Sequence, residues 1–176
     1  MSGGQSMVIV YTGEGKGKTT AALGLALRAA GRGRRVLVLQ FLKAPGTSGE
    51  HLLPPDAVPN LAVEAAGRGF LPVEGEPAPE DRAAVREALA RAGEAVTGGA
   101  YDVVVLDEIV YALRRGLVSL EDVLGLVEGR CPRTSLVLTG RHAPRALIEA
   151  ADLVTEMRSL KHPFDTGAGA VEGIDL

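Results

Sequence analysis

Short apolar runs alternate with longer stretches of mixed polarity along this chain of 176 residues. Residues 7–12, Met-Val-Ile-Val-Tyr-Thr, are apolar without alternation, rich in β-branched side chains and bounded by Gly13. That pattern predicts a strand buried on both faces. Similar runs predict strands at 35–42, 101–107 and Ser135–Thr139, with shorter ones at Leu61–Ala65 and 153–157. The intervening stretches carry helical signals. Residues 19–30 are rich in Ala and Leu, end at Gly31 and Gly33, and place basic residues in the last turn. Over 80–96, Val85, Leu89, Ala92 and Val96 mark one face at helical spacing before Gly98-Gly99. Ser119 is the natural cap of a helix over Leu120–Glu128, whose first turn holds Glu121 and Asp122. A last helix is predicted at about 144–150. Continuous apolar strands alternating with helices predict an α/β fold, a mostly parallel sheet flanked by helices on both faces.

Between 43 and 79 the pattern weakens, and Pro, Gly and acidic residues dominate. A stretch of that length inside a compact domain is usually functional or mobile, so it is read as a mobile or ligand-facing segment of a single domain, 1–176. Composition narrows the rest. Hydrophobic residues make up 46% of the chain but aromatics only 3%, so the core must be built from Val, Leu, Ile and Ala. A net charge of −3 gives no global attraction to nucleic acid or to an anionic membrane, and neither is expected as a partner. Arg28, Arg32, Arg34 and Arg35 read as a solvated helix end. Cys131 is the only cysteine, so no internal disulfide can form. Residues 1–7 lack the apolar core of a signal peptide, and the apolar runs fall far short of the roughly 20 residues that cross a bilayer. A cytoplasmic protein is expected.

Chemistry enters at Gly13 to Thr20. Strand, glycine-rich loop, Lys-Thr and helix follow one another at 8–30, the order a phosphate cradle requires. Loop amides and the helix N-terminus converge on anionic oxygens, and glycines let the backbone close around them. Gly13, Glu14, Gly15, Lys16, Gly17, Lys18, Thr19 and Thr20 are therefore the candidate residues for a nucleoside triphosphate. Lys18 supplies a point charge and Thr19 a hydroxyl for Mg2+. The usual spacing would put a glycine at position 12, where this chain has Thr12, so the loop is one residue tighter. A second half of the site is expected where Val103-Val-Val-Leu106 runs into Asp107 and Glu108, a carboxylate pair able to hold Mg2+ directly or through water. Arg141, just after a strand end, is a candidate ligand contact. Lys16 could face phosphate or solvent. His51, His142 and His162 show no metal-ligand spacing. These features define a P-loop (RecA-like) nucleotide-binding fold.

Further segments carry a resemblance. T-G-E-G-K-G-K-T-T-A-A-L-G at 12–24, V-L-Q-F-L-K at 38–43, V-V-L-D-E at 104–108, L-T-G-R at 138–141 and L-V-T-E-M-R-S-L-K-H-P-F-D-T-G at 153–167 resemble the P-loop ATP:corrinoid adenosyltransferases of the cobalamin pathway. The similarity runs from about Val8 to the C-terminus, and the shortened loop is itself a feature of that family. The resemblance implies transfer of the 5′-deoxyadenosyl group of ATP to the cobalt of a Co(I) corrinoid, with release of triphosphate. The corrinoid would be cob(I)alamin or an incomplete precursor. Lys18 and Glu108 would be the catalytic residues and Mg2+ the cofactor, held by Thr19 and Glu108 with Asp107 behind them as an outer partner. The resemblance also implies a homodimer, a flavoprotein as reductant, and an aromatic wall for the corrinoid. The matching segment is Gly69-Phe70-Leu71-Pro72: Phe70 fits, whereas the tryptophan that some relatives carry two residues later is Pro72 here. From the residues without the resemblance, the alternative is an ATPase or nucleotide-switch module in which Glu108 polarises water and the 43–79 segment contacts a protein partner.

Overall fold

A computed structural model describes residues 6–54, 56–69, 75–163, 167 and 169–175. Six strands form one parallel sheet in the order β3-β2-β4-β5-β1-β6. They are β1 (Val8–Thr12), β2 (Val36–Gln40), β3 (Leu61–Ala65), β4 (Val103–Asp107), β5 (Ser135–Thr139) and β6 (Leu153–Glu156). The helices are α1 (Lys18–Ala30), α2 (Pro79–Thr97), α3 (Ile109–Arg114), α4 (Leu120–Glu128) and α5 (Arg145–Ala150). The expected α/β architecture is present.

The central strands carry continuous apolar runs up to their polar ends because both faces are covered. Val8, Val10, Leu37, Leu39, Val104, Leu106, Leu136 and Leu138 point to one side and pack with residues of α2, α3, α4 and α5. The alternate positions, Ile9, Val36, Val38, Val105 and Val137, point to the other side, where α1 lies on them. α1 meets the sheet through Ala22, Ala26 and Ala30, small side chains that let the helix sit close to the strands. Leu27, on the same helix, is left half exposed.

The Leu61–Ala65, Leu120–Glu128 and Ser135–Thr139 elements match expectation to the residue. Ser119 caps α4 as expected: its hydroxyl accepts the Asp122 amide at 3.0 Å, and the Asp122 carboxylate accepts the Ser119 amide at 3.0 Å. β2 is shorter than the apolar run that foretold it. Phe41 and Leu42 are buried but leave the strand, and the Phe41 amide turns to the Asp107 carbonyl at 3.1 Å. α3, and a 3-10 turn at Gly49–His51, were not expected. Part of the 43–79 segment is thus ordered against the sheet: the amides of Ala66, Gly67 and Gly69 bond to the carbonyls of Gln40, Lys43 and Leu42. Among the described residues no helix is long and apolar enough to cross a membrane.

Candidate active site

Four strands of the sheet end in a polar residue that is nonetheless buried: Thr12 of β1, Gln40 of β2, Asp107 of β4 and Thr139 of β5. These ends lie along the carboxyl edge of the sheet, where ligands bind in folds of this kind. The loop from β1 to α1 closes over the same edge. Gly13 and Gly17 adopt φ of 97° and 115°, a region that favours glycine. Gly15 has no room for a side chain, since a Cβ there would sit 2.7 Å from the Arg158 carbonyl carbon. Its amide donates to the Met157 carbonyl at 2.7 Å, so the loop is pinned against the chain leaving β6.

α1 starts behind Gly17 with no side-chain cap, so its first-turn amides form the positive end expected of an anion site. Lys18 is buried beneath the loop, and its Nζ donates to the carbonyls of Gly13 and Gly15 at 2.7 Å each. Burial, then the Arg141 charge, holds its pKa below the usual lysine value, against the pull of Glu108, Glu14 and Asp107. Thr19, one turn position on, donates its hydroxyl to Asp107 Oδ1 at 2.9 Å. The same carboxylate oxygen accepts the Thr139 hydroxyl at 2.7 Å, while Oδ2 accepts Gln40 Nε2 at 3.2 Å.

Glu108 follows in a left-handed conformation, φ 65°, with its amide donating to Thr139 Oγ1 at 2.9 Å. That turn separates the two adjacent carboxylates: Asp107 stays under Thr19, and Glu108 lines the cleft. Burial, then repulsion from Asp107, pushes the Glu108 pKa up, opposed by Lys18, Arg141 and Lys43.

The cleft has a volume of about 1020 Å³. Its polar end is made by Glu14 to Thr20, Lys43, Glu50, Glu108 and Arg141. Its other end is apolar, walled by Leu23 and Leu27 of α1 with Leu53, Val58, Leu61 and Val63. Such a division suits a ligand with an anionic end and an apolar one. The expected residues Glu14, Gly15, Lys16, Gly17, Lys18, Thr19, Thr20, Glu108 and Arg141 all line this cleft, and Gly13 is joined to it through Lys18. Phe70 and Pro72 lie outside the described residues. Arg141 pairs with Glu14 at 2.8 Å, and Glu14 also meets His142 Nε2 at 2.5 Å, tying the loop to the β5–α5 connection. Lys16 is exposed at the rim of the cleft. Its Nζ donates to the Ile174 carbonyl and pairs with Asp175, both at 2.8 Å, so the C-terminal turn closes one side of the cleft.

Sequence reasoning had not singled out Gln40, Lys43, Glu50 or Thr139. The signal for two of them was available: an apolar strand run that ends in Gln40, and another that ends in Thr139, place polar groups where no solvent reaches.

Comparison with known proteins agrees with this geometry. The family model of the ATP:corrinoid adenosyltransferases BtuR/CobO/CobP matches residues 4–176. The corrinoid adenosyltransferase of Escherichia coli K12 is 40% identical over 172 residues, covering 97% of this chain and 86% of the relative. The corrinoid adenosyltransferase CobA of Salmonella typhimurium is 38% identical, with the same coverage. The corrinoid adenosyltransferase of Pseudomonas aeruginosa is 34% identical over 98% of this chain and 84% of its own length. The chain belongs to the ATP:corrinoid adenosyltransferase family.

Proposed function

We propose that this protein, an ATP:corrinoid adenosyltransferase of cobalamin synthesis, uses the Gly13–Thr20 loop to hold the triphosphate of ATP as a leaving group. The reaction takes place at the far, sugar end of the nucleotide. The cobalt of a Co(I) corrinoid donates an electron pair to C5′, the C5′–O bond breaks, and triphosphate departs with the bonding electrons. Co(I) is itself a strong nucleophile, so the protein need not provide one. Its work is to orient C5′ toward cobalt and to stabilise charge on the leaving oxygens.

The observation that carries this reading is Lys18 buried under a loop whose Gly13 and Gly15 carbonyls already fix its ammonium group. A cation held in advance needs little reorganisation when phosphate charge develops beside it. Arg141 adds a second positive charge on the same cleft, and Glu14 holds it in place.

Mg2+ fits the residues present. Thr19, Asp107 and Glu108 offer hard oxygen donors, the kind this ion prefers, and burial, then the neighbouring Asp107 charge, raises the Glu108 pKa in a way a dication would relieve. When bound, Mg2+ would neutralise triphosphate charge. Thr19 and Glu108 would hold it, with Asp107 fixing the Thr19 hydroxyl.

The family supports three finer parts of this reading: cob(I)alamin or an incomplete precursor as acceptor, a flavoprotein as electron donor, and a homodimer as the working unit. Phe70 is proposed to face the corrinoid. The decisive experiment incubates the protein with MgATP and a chemically reduced corrinoid without oxygen. Light-sensitive adenosylcorrinoid and triphosphate in equal amounts are expected. Orthophosphate released whether or not corrinoid is present would instead establish an ATPase.

A further inference from the structure

Gln40, the last residue of β2, is fully buried, and both ends of its carboxamide are in use. The carbonyl Oε1 can only accept, so its 2.5 Å contact with His51 requires the proton to sit on His51 Nε2. The Nε2 amide donates to Glu50 Oε1 at 2.8 Å and to Asp107 Oδ2 at 3.2 Å. Turning the amide over would set its oxygen against two carboxylates. Its orientation is therefore fixed by Glu50 and Asp107.

These partners belong to different parts of the site. Asp107 holds the Thr19 hydroxyl. Glu50 and His51 form the 3-10 turn that walls the cleft, and Lys43 also donates to Glu50 Oε1, at 2.7 Å. Burial pushes the Glu50 carboxyl up, but the hydrogen bonds from Lys43 and Gln40 outweigh it and leave the pKa lowered. Leu53, just beyond the turn, belongs to the apolar end of the cleft. An apolar side chain would fill the end of β2 with no hydrogen bonds to satisfy, so packing does not account for a carboxamide there.

We propose that Gln40 is a positioning residue of the transferase: its carboxamide holds the Asp107 carboxylate under Thr19 and locks the Gly49–His51 turn to the same centre. The phosphate end of the cleft and its wall are thereby set together, and occupancy of the first is transmitted to the second. The inference rests on the nucleotide-site reading above.

The test replaces Gln40 by Met, which keeps the length and loses the hydrogen bonds. Calorimetric titration with ATP, with and without Mg2+, is combined with amide hydrogen exchange over residues 49–53. In the wild type, MgATP should slow exchange in that turn. Gln40→Met should weaken the Mg2+-dependent part of ATP binding by about 10- to 100-fold, as loss of a residue supporting a metal ligand does, and should abolish the slowing. Unchanged Mg2+ dependence with a merely lower Tm would overturn the proposal, because that is what loss of packing predicts. If Gln40→Met does not fold, Glu50→Leu cuts the same chain from the cleft side. It should shift the Mg2+ dependence in the same direction, and Glu50→Gln, which keeps an acceptor oxygen, should restore it; a wild-type response of Glu50→Leu also overturns the proposal. Lys18→Ala, run alongside, separates the two levels: full ATP binding by that variant sinks the nucleotide-site reading itself.

Discussion

Asp107→Asn tests the buried polar centre with almost no change in shape. The carboxylate accepts at both oxygens: Oδ1 from Thr139 at 2.7 Å and Thr19 at 2.9 Å, Oδ2 from Gln40 at 3.2 Å. Asparagine offers one acceptor oxygen and one NH2. The better placement puts its oxygen at the Oδ1 position, keeping both hydroxyl contacts. Its NH2 then faces the Gln40 NH2, which cannot turn away because the Glu50 carboxylate holds that NH2 from the other side. One hydrogen bond to a charged acceptor is lost, worth about 1.5–3 kcal/mol, and a buried donor is left unsatisfied at about 1–3 kcal/mol. The two overlap, so a net loss of about 3 kcal/mol is expected. For a chain of this size that lowers Tm by about 6–12 °C.

The measurement is thermal unfolding followed by circular dichroism at neutral pH, on Asp107→Asn, Gln40→Met and the double variant. Removing the Gln40 amide also removes the donor–donor conflict. The double variant should therefore be more stable than the sum of the single losses predicts, by about 1 kcal/mol or more. Strict additivity, or an Asp107→Asn variant that melts with the wild type, would refute the reasoning, since neither can occur if the two NH2 groups face each other in a buried site.

Other consequences concern charge and space at the loop. Lys18→Ala should lower kcat/KM for ATP by about 10²–10³-fold, the loss usual when one preorganised donor to a developing anion is removed, and initial-rate measurements against ATP concentration will show it. Glu108→Gln should melt higher than the wild type at pH 7, although it loses activity. The raised pKa of Glu108 means that the folded state prefers the protonated form, so its contribution to stability is present below the ordinary glutamate value of 4.5 and is lost as pH rises through the folded-state value. The gap between the two melting curves should accordingly close as the pH falls toward 4.5, and a gap that widens on acidification would contradict the assignment. Gly15→Ala forces a Cβ to within 2.7 Å of the Arg158 carbonyl carbon. Because the obstacle is backbone, about 1–3 kcal/mol of stability should be lost, and ATP should bind more weakly, since the loop can relieve the clash only by leaving Met157. Calorimetry on the folded variant would read both effects.

Different parts of this structure were legible in the sequence to different degrees, and the reasons are physical. Apolar runs report burial on both faces, so the four central strands could be recognised directly. Burial is not the same as sheet pairing, which is why Phe41 and Leu42 extended the expected second strand beyond its ladder. α3 has six residues, too few to display a helical period, and it begins at once behind a carboxylate pair that reads as a strand end. Lys16 meets a turn 158 positions away, and no local pattern announces such a partner.

The active centre is an intermediate case. Lys18 and Thr19 were readable because the phosphate loop is continuous in sequence, and Asp107 and Glu108 because an acidic residue after Val103–Leu106 has few reasons to exist. Gln40 and Thr139 carried the same signal, a buried strand ending in a polar residue. Their meaning depends on β2 and β5 lying on either side of β4. Strands 36–40 and 135–139 flank 103–107 only because the crossovers of a parallel sheet bring non-consecutive strands together. That adjacency puts a carboxamide on one side of the Asp107 carboxylate and a hydroxyl on the other, with Thr19 above. Sheet order therefore decides which of the two neighbouring acids supports the loop. Asp107 receives three donors and stays beneath Thr19, while Glu108, rotated out by its left-handed backbone, keeps a carboxylate open to the cleft.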